Sequence, residues 1–328
     1  MSEAPILFLD RARVAELLGF DDCITAVEDA FRLRGEGKEI QQGLLSFHVP
    51  GGVFHIKAGV LDLGHPYFVA KANGNFPGNP RAHGLPTIQG LIVLADGRDG
   101  RPLAVLDSGE VTLRRTAAAS AVAAKYMARA DARVATVCGC GEQGRVQLIA
   151  LARVLHLERV HAFDRDPAKS RALAEVLSPA LGLAIAPVDD LHAATRQSDV
   201  IVTSTTSTEF LLGPDDVRAG VFIAAVGTDN PDKREIHPSL MAAGKVVVDD
   251  FEQCARIGDL RHALEARAME HVRLHGDLAS VVAGRVPGRT SDQDIMIFDS
   301  TGIALEDAAA SILVYERARD AAPVGAGA

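Results

Sequence analysis

Residues 139–144 read Gly139-Cys140-Gly141-Glu142-Gln143-Gly144, and the placement of this run constrains the fold more than any other feature of the chain. It follows an apolar, β-branched stretch at 134–137 and opens a stretch at 145–155 that reads as helix. A second short strand at 159–163 then ends on an acid, Asp164. Strand, glycine turn, helix, strand, acid is the order of a dinucleotide-binding unit in a doubly wound parallel sheet. Gly139 allows the tight turn, Gly141 lets backbone approach a pyrophosphate, and Gly144 lets the helix pack close to the sheet. Glu142 and Gln143 complete the run beside the helix N-terminus, where unpaired N–H groups and the positive dipole end attract phosphate. A lone GxGxxG carries little weight; its context here makes cofactor binding the expectation.

Asp164 ends the second strand, where a carboxylate takes both ribose hydroxyls of adenosine and repels a 2′-phosphate. This favours NAD(H). Arg165 beside it is suited to meeting that phosphate, which keeps NADP(H) open. The competing role for Asp164 is a helix cap ahead of Pro167.

With 328 residues the chain is long enough for two domains, each with its own core. A net charge of −9 and the absence of Trp give no reason to expect a nucleic-acid partner. No apolar stretch approaches the ~20 residues needed to span a membrane, and residues 1–5 do not read as a signal peptide. Cys23, Cys138, Cys140 and Cys254 form no metal spacing, and their usage suits a reducing, cytoplasmic setting.

About 130 residues precede the nucleotide motif. Asp10 reads as a cap for a helix at 11–18 and Asp21 as a cap for one at 23–34. Strand-like segments follow at 44–49, 53–58, 68–72, 88–95 and 102–107, which predicts an α+β domain on a mainly antiparallel sheet. An alanine-rich helix at 116–128 leads into the Rossmann part. There, helix and strand alternate through 167–177, 183–187, 191–196, 199–204, 221–226 and 245–249, where the parallel sheet reads as complete. A strand-like run at 295–298 and a final helix at 303–317 form a tail free to return to the first domain, and 321–328 reads as frayed.

Several residues outside the glycine run carry chemistry. Lys71 ends a strand just before a Gly/Asn/Pro-rich turn, where it contacts a carboxylate or transfers protons if desolvated; a solvated lysine is the plainer alternative. Arg114 and Arg115 stand at the start of the alanine-rich helix, an unfavourable place for cations unless an anion pairs with them. One of them can grip a substrate carboxylate, and a salt bridge to Glu110 competes with that reading. Asp229, in Gly227-Thr228-Asp229-Asn230-Pro231, follows a parallel strand and is positioned as an acid/base, against the alternative of an Asx turn. His271 and His275 stand four apart without a third ligand, so surface histidines are expected rather than a metal site.

Taken together, residues 71–80, Gly84-Leu85-Pro86-Thr87, Arg115-Thr116-Ala117-Ala118, the glycine run, residues 226–235 and Phe298-Asp299-Ser300-Thr301-Gly302 resemble the ornithine cyclodeaminase/mu-crystallin family over nearly the whole chain. The resemblance implies a Rossmann domain, 129–300, inserted into an α+β substrate and dimerisation domain, 1–128 plus 301–328, with a homodimer formed through the latter. It implies Lys71 as a substrate-contacting acid/base, Arg115 as the α-carboxylate anchor and Asp229 as the acidic catalytic residue. Thr205, Thr206 and Asp299 to Gly302, Ser300 and Gly302 among them, fall where the family borders the cofactor's nicotinamide half, and the resemblance also implies Val226 as a cofactor-binding residue.

The implied function is NAD(P)-dependent hydride transfer at Cα of a small L-amino acid or imino acid. The alternatives are a cyclodeaminase that recycles its NAD and releases ammonia, and a non-catalytic ligand-binding protein. One departure stands out. Where the family commonly runs into Met-Pro, with an arginine or glutamate two residues before the methionine, this chain has His55 and Lys57. Loss of the glutamate weakens an ornithine assignment, and Lys57 suggests an additional anionic contact.

Overall fold

The computed structural model describes residues 5–38, 41–270 and 274–321. His271 and residues 322–328 of the sequence reading lie outside the described residues. The chain divides into two units, Met1–Arg115 with Ile303–Ala328, and Thr116–Gly302. The first division falls inside one continuous helix, Ser108–Met127, rather than at 128/129. That helix begins eight residues before the alanine-rich stretch because Ser108 to Arg115 carry no helix breaker apart from Gly109.

Among its described residues the first unit carries six strands: β1 (Leu7–Leu9), β2 (Gln41–Val49), β3 (Gly52–Asp62), β4 (Pro66–Asn75), β5 (Ile88–Asp96) and β6 (Pro102–Asp107). They run in the order β1-β6-β5-β4-β3-β2, antiparallel throughout except for the parallel β1–β6 pair. β1 went unread because three residues are too few for an alternation to register. Alternation gives the sheet two unlike faces. Val69, Lys71, Asn73, Ile92 and Leu94 are buried on one, whereas Phe68, Leu91 and Val93 on the other are exposed. Helix Ala304–Ala321 lies along the buried face, and Ala308, Ala309 and Ala310 let it approach closely. Each fully buried Ile or Leu here contributes roughly 1.5–3 kcal/mol.

Asp10 does cap helix Arg11–Leu17, accepting from the Arg13 N–H. Asp21 does not cap: Gly19 is the N-cap of the next helix, Phe20–Gly35, which places Asp21 and Asp22 in its first turn. Acids there suit the helix dipole as well as a cap would, so the residue type alone misplaces the boundary.

The second unit carries β7 (Val134–Cys138), β8 (Arg159–Phe163), β9 (Ala184–Pro187), β10 (Val200–Thr203), β11 (Phe222–Ala225), β12 (Lys245–Val248), β13 (Gly276–Asp277) and β14 (Met296–Asp299). They form one parallel sheet in the order β13-β12-β14-β11-β10-β7-β8-β9. The sheet is therefore not complete at β12. β14, read as part of a tail, inserts between β11 and β12 with Met296, Ile297 and Phe298 fully buried. A strand covered on both faces shows a continuous apolar run rather than alternation, and that was its signal. The order reverses between β7 and β10, and the carboxyl ends of strands at such a switch point are where ligands of this fold bind.

All four cysteines are buried free thiols. Among the described residues no helix is long and apolar enough to cross a membrane.

Candidate active site

β7 delivers the chain to Gly139, which adopts φ +95°, a conformation costly for any side chain. A Cβ there would lie 2.6 Å from the Ser204 carbonyl, and one on Gly144 would overlap the Gly139 carbonyl. Gly141 differs. A Cβ at that position meets nothing within 4 Å, so the space before helix Glu142–Val154 is open. Gly141 is also the N-cap, and no side chain caps the helix. Gln143 adds a buried Nε2 with no hydrogen-bond partner among the described residues. An open approach, uncapped amides and an unpaired donor fit the phosphates of a dinucleotide.

Asp164 stands at the end of β8, half-buried. Its Oδ2 accepts from the Cys140 N–H at 2.8 Å and its Oδ1 from the Asp166 N–H at 3.0 Å. The helix that follows, Pro167–Leu181, is capped by Asp166, which removes the capping role from Asp164. An ionised carboxylate has about four acceptor positions, so Asp164 can brace the glycine loop and still take ribose hydroxyls. Arg165 is exposed beside it.

At the carboxyl ends of β10, β11, β12 and β14 lie four fully buried carboxylates, of which Asp299 was expected beside the cofactor and Glu235, Asp249 and Asp259 were given no role from sequence. Glu235 accepts from the Thr205 N–H at 2.6 Å and the Gly227 N–H at 3.0 Å. Asp259 accepts from the Glu235 and Ile236 N–H groups and the Thr228 hydroxyl. Asp299 accepts from the Leu260 N–H at 2.8 Å, and Asp249 from the Thr301 and Gly302 N–H groups and the Ser300 hydroxyl. Burial, together with the negative charge of Asp259, pushes Glu235 up to about 7. Burial likewise raises Asp259 to about 6 and holds Asp299 well above the usual carboxylate range. These acids stitch together the segments that contain Thr205, Thr206, Val226, Ser300 and Gly302. Ser300 turns its hydroxyl inward to Asp249, and Thr206 is exposed.

Asp229 is about one-third exposed and pairs with Lys233 at 2.6 Å. The Asx turn in this loop belongs to Asn230, whose Oδ1 accepts from the Asp232 and Lys233 N–H groups. Asp229 is thus not the turn-forming residue.

In the first unit, β4 carries Lys71 to the buried sheet face, where its Nζ lies 2.6 Å from Asp307 and 3.3 Å from the Thr112 hydroxyl. It is not a solvated lysine. Arg115 reaches Glu306 through Nη1 at 2.6 Å and Asp307 through Nε at 2.9 Å, while Arg114 takes the bridge to Glu110. All four members of this cluster are at most 4% exposed. Burial lowers Lys71 to about 7 against the opposing pull of Asp307, with Arg115 and Lys57 adding to the lowering. Burial also disfavours ionised Asp307, but Arg115, Lys71 and Lys57 outweigh it and hold the group below its ordinary range. Lys57 sits directly across from Lys71 in the β3–β4 register, and His55 across from Asn73. His55 Nδ1 contacts the Ser46 hydroxyl at 2.9 Å. Glu306 and Asp307 were missed, although adjacent acids in an otherwise alanine- and leucine-rich helix are a readable signal.

A parallel sheet with a glycine loop at its switch point defines a dinucleotide-binding fold, here in one chain with a second unit that buries a lysine–arginine–carboxylate cluster. The chain belongs to the ornithine cyclodeaminase/mu-crystallin family, whose model matches residues 6–322. It is 35% identical over 313 residues to the alanine dehydrogenase of Archaeoglobus fulgidus, covering 95% of each chain. It is 37% identical over 268 residues to the iminosuccinate reductase of Paracoccus denitrificans, covering 82% of this chain and 80% of that one. Its fold matches an archaeal alanine dehydrogenase dimer with bound NAD at a TM-score of 0.91, with 35% identity and 96% of each chain covered.

Proposed function

We infer that this chain is an NAD(H)-dependent oxidoreductase acting at Cα of a small L-amino acid or its α-imino acid. The observation that carries the reading is the buried Lys71–Asp307–Arg115–Glu306 cluster. Such a cluster adds little stability for its desolvation cost, which argues for a chemical use. When bound, the cofactor supplies or accepts the hydride: α-imino acid, NADH and a proton give amino acid and NAD⁺. Gly139, Gly141, Glu142, Gln143 and Gly144 hold its pyrophosphate end, and Asp164 takes the ribose hydroxyls. Thr205, Thr206, Val226, Ser300 and Gly302 border its other end.

Arg115 orients the α-carboxylate. Its Nε and Nη1 already hold two protein carboxylates, so a bidentate grip on substrate exchanges one of these contacts. Lys71 lies within reach of both charge states near pH 7 and carries a proton to or from the substrate nitrogen. Asp229 is the second proton-handling group, and any proton it takes is taken in competition with its Lys233 ion pair.

The test is a panel of amino and imino acids followed by nicotinamide absorbance and by ammonia release. Net NADH oxidation or NAD⁺ reduction supports the reading. Ammonia release from a diamino acid without net cofactor turnover would identify a cyclodeaminase, and binding without either signal a non-catalytic protein.

The assembly proposed is a homodimer through the first unit. Phe8 is 77% exposed, Leu45 60% and Leu91 56%, and Phe47, Phe54, Phe68 and Val93 share that sheet face. An apolar patch this extended marks an association surface. The four buried thiols support a reducing, cytoplasmic compartment.

A further inference from the structure

We propose that Thr112 is a positioning residue for the proton-handling lysine: its hydroxyl, held by Asn73, fixes the one direction in which Lys71 meets the substrate nitrogen. This rests on the proton role given to Lys71 above and adds a residue to the same site. Lys71 Nζ lies 2.6 Å from Asp307 Oδ2 and 3.3 Å from the Thr112 hydroxyl. An ammonium nitrogen is tetrahedral and carries three donors. The side-chain stem takes one corner, Asp307 and Thr112 take two more, and the fourth is the direction left for a ligand. When Lys71 is neutral, N–H groups kept on Asp307 and Thr112 leave the lone pair in that fourth direction. A bond to Asp307 alone would let the amine turn about its Cε–Nζ bond. In the oxidising direction the step is a proton transfer: one N–H bond of the substrate ammonium breaks and a third N–H bond forms on Lys71.

The surroundings of Thr112 fit a placed hydroxyl better than a space-filling side chain. Thr112 and Arg115 stand three apart on helix Ser108–Met127, which brings both to one face. Asn73 follows Lys71 by two on β4, so the two side chains share the buried sheet face. Asn73 Nδ2 donates to the Thr112 hydroxyl at 3.5 Å, and Asn73 Oδ1 is buried without a hydrogen-bond partner among the described residues. Gly90, directly opposite Asn73 on β5, makes room for this amide: a Cβ there would lie 2.4 Å from Asn73 Oδ1. A glycine inside a strand and an unpaired buried acceptor both weaken a fold, and here both accompany the Asn73 contact with Thr112. The charged groups facing Lys71 are Asp307 from the last helix, Arg115 from helix Ser108–Met127 and Lys57 from β3, with Glu306 bound to Arg115. Ile92, opposite Lys71 on β5, brings no charge. An oxygen that accepts from the ammonium favours the charged form, so its removal lowers the pH at which Lys71 titrates.

The experiment compares the full-length wild type with Thr112→Val and Thr112→Ser. Lys71 stands at about 7, so its titration falls in an accessible range. It is followed without cofactor by NMR of chain labelled with ¹³C at lysine Cε, the signal being assigned by its loss in Lys71→Met. The midpoint should fall by about one pH unit in Thr112→Val, the scale of one hydrogen bond to a charged group, and return in Thr112→Ser. Turnover is then measured with NAD⁺ and the fastest substrate among the common L-amino acids and L-ornithine. In Thr112→Val kcat should fall by about 10-fold with KM little changed, and the acidic limb of kcat/KM should move with the midpoint. Circular dichroism shows that the variants fold; if Thr112→Val does not, Thr112→Ala carries the same expectations. A midpoint or a kcat that the substitution leaves unaltered overturns the proposal, and so does a loss that Thr112→Ser fails to recover; in each case the oxidoreductase reading survives. If Lys71→Met keeps the acidic limb, the proton role of Lys71 falls and the proposal with it, while turnover still supports an oxidoreductase. No turnover of any amino acid removes that reading and the proposal together.

Discussion

Asp307 in the first unit and Glu235 in the second are both buried carboxylates, and burial opposes the charge on each. Asp307 faces Lys71 and Arg115 and is held below the usual carboxylate range. Glu235 faces uncharged donors, the Thr205 and Gly227 N–H groups and the Thr203 and Thr205 side chains, together with a second acid, and it rises to about 7. Full countercharges overcome desolvation, whereas neutral amide and hydroxyl donors do not when another carboxylate is near. In the first unit Asp307 thereby keeps its charge, while its partner Lys71 stands at about 7. The second holds its loops with groups that change protonation near neutrality.

The largest expected effect tests the charge pairing of the first unit. Arg115→Ala leaves Glu306 and Asp307 buried with one countercharge fewer, and it should cost about 3–5 kcal/mol of stability in denaturant unfolding. Arg115→Lys restores a charge but not the reach to both acids, so it should fall between. A loss near zero for Arg115→Ala would mean that other groups neutralise the pair and that the contrast with Glu235 is overstated.

Asp229→Asn comes next. It preserves size and removes the base, and kcat should fall on the order of 10²-fold with NADH affinity intact. Normal turnover would leave Lys71 as the proton-handling group.

Glu235→Gln sharpens the other side. One amide acceptor is retained and the second N–H then faces an NH₂ donor, a loss of roughly 1–3 kcal/mol that should appear as weaker NADH binding. Its pH signature separates it from a packing defect. Because the folded-state value of about 7 exceeds the ordinary 4.5, the folded chain holds a proton that the unfolded chain has released between these values. This stability is fully present below about pH 4.5 and is lost as pH rises through about 7. Unfolding curves of wild type and Glu235→Gln should therefore diverge in slope across that window; parallel slopes would show Glu235 to be titrating normally.

The smallest effect belongs to Asp164→Ala, which should narrow the preference for NADH over NADPH. It should also loosen the glycine loop by about 1 kcal/mol through the lost Cys140 contact. A wild-type protein that prefers NADPH would place Arg165 in control instead.

What could be read in sequence was whatever leaves a local pattern. The glycine run, β8 and the antiparallel strands announced themselves through periodicity and turn residues. β14 was misplaced because its partners in the sheet, β11 and β12, are distant in sequence and its own apolar run gives no direction. Lys71 and Arg115 were picked out by residue type, yet the acids that define their chemistry lie some two hundred residues away on the last helix. Glu235, Asp249 and Asp259 were invisible for a different reason. Their partners are mostly backbone N–H groups, which every residue but proline provides and no side chain advertises.

Gly227 illustrates what such hidden contacts impose on the chain's history. Any Cβ at this position would overlap Glu235 Oε1, so no side chain fits while that carboxylate accepts the Gly227 N–H. The two positions are consequently locked together under mutation: a larger residue at 227 becomes tolerable only after 235 has shortened, and shortening 235 alone abandons the Thr205 and Gly227 amides. Drift at either site must cross a less fit intermediate, which makes this pair a barrier between neighbouring sequences rather than a site of gradual change.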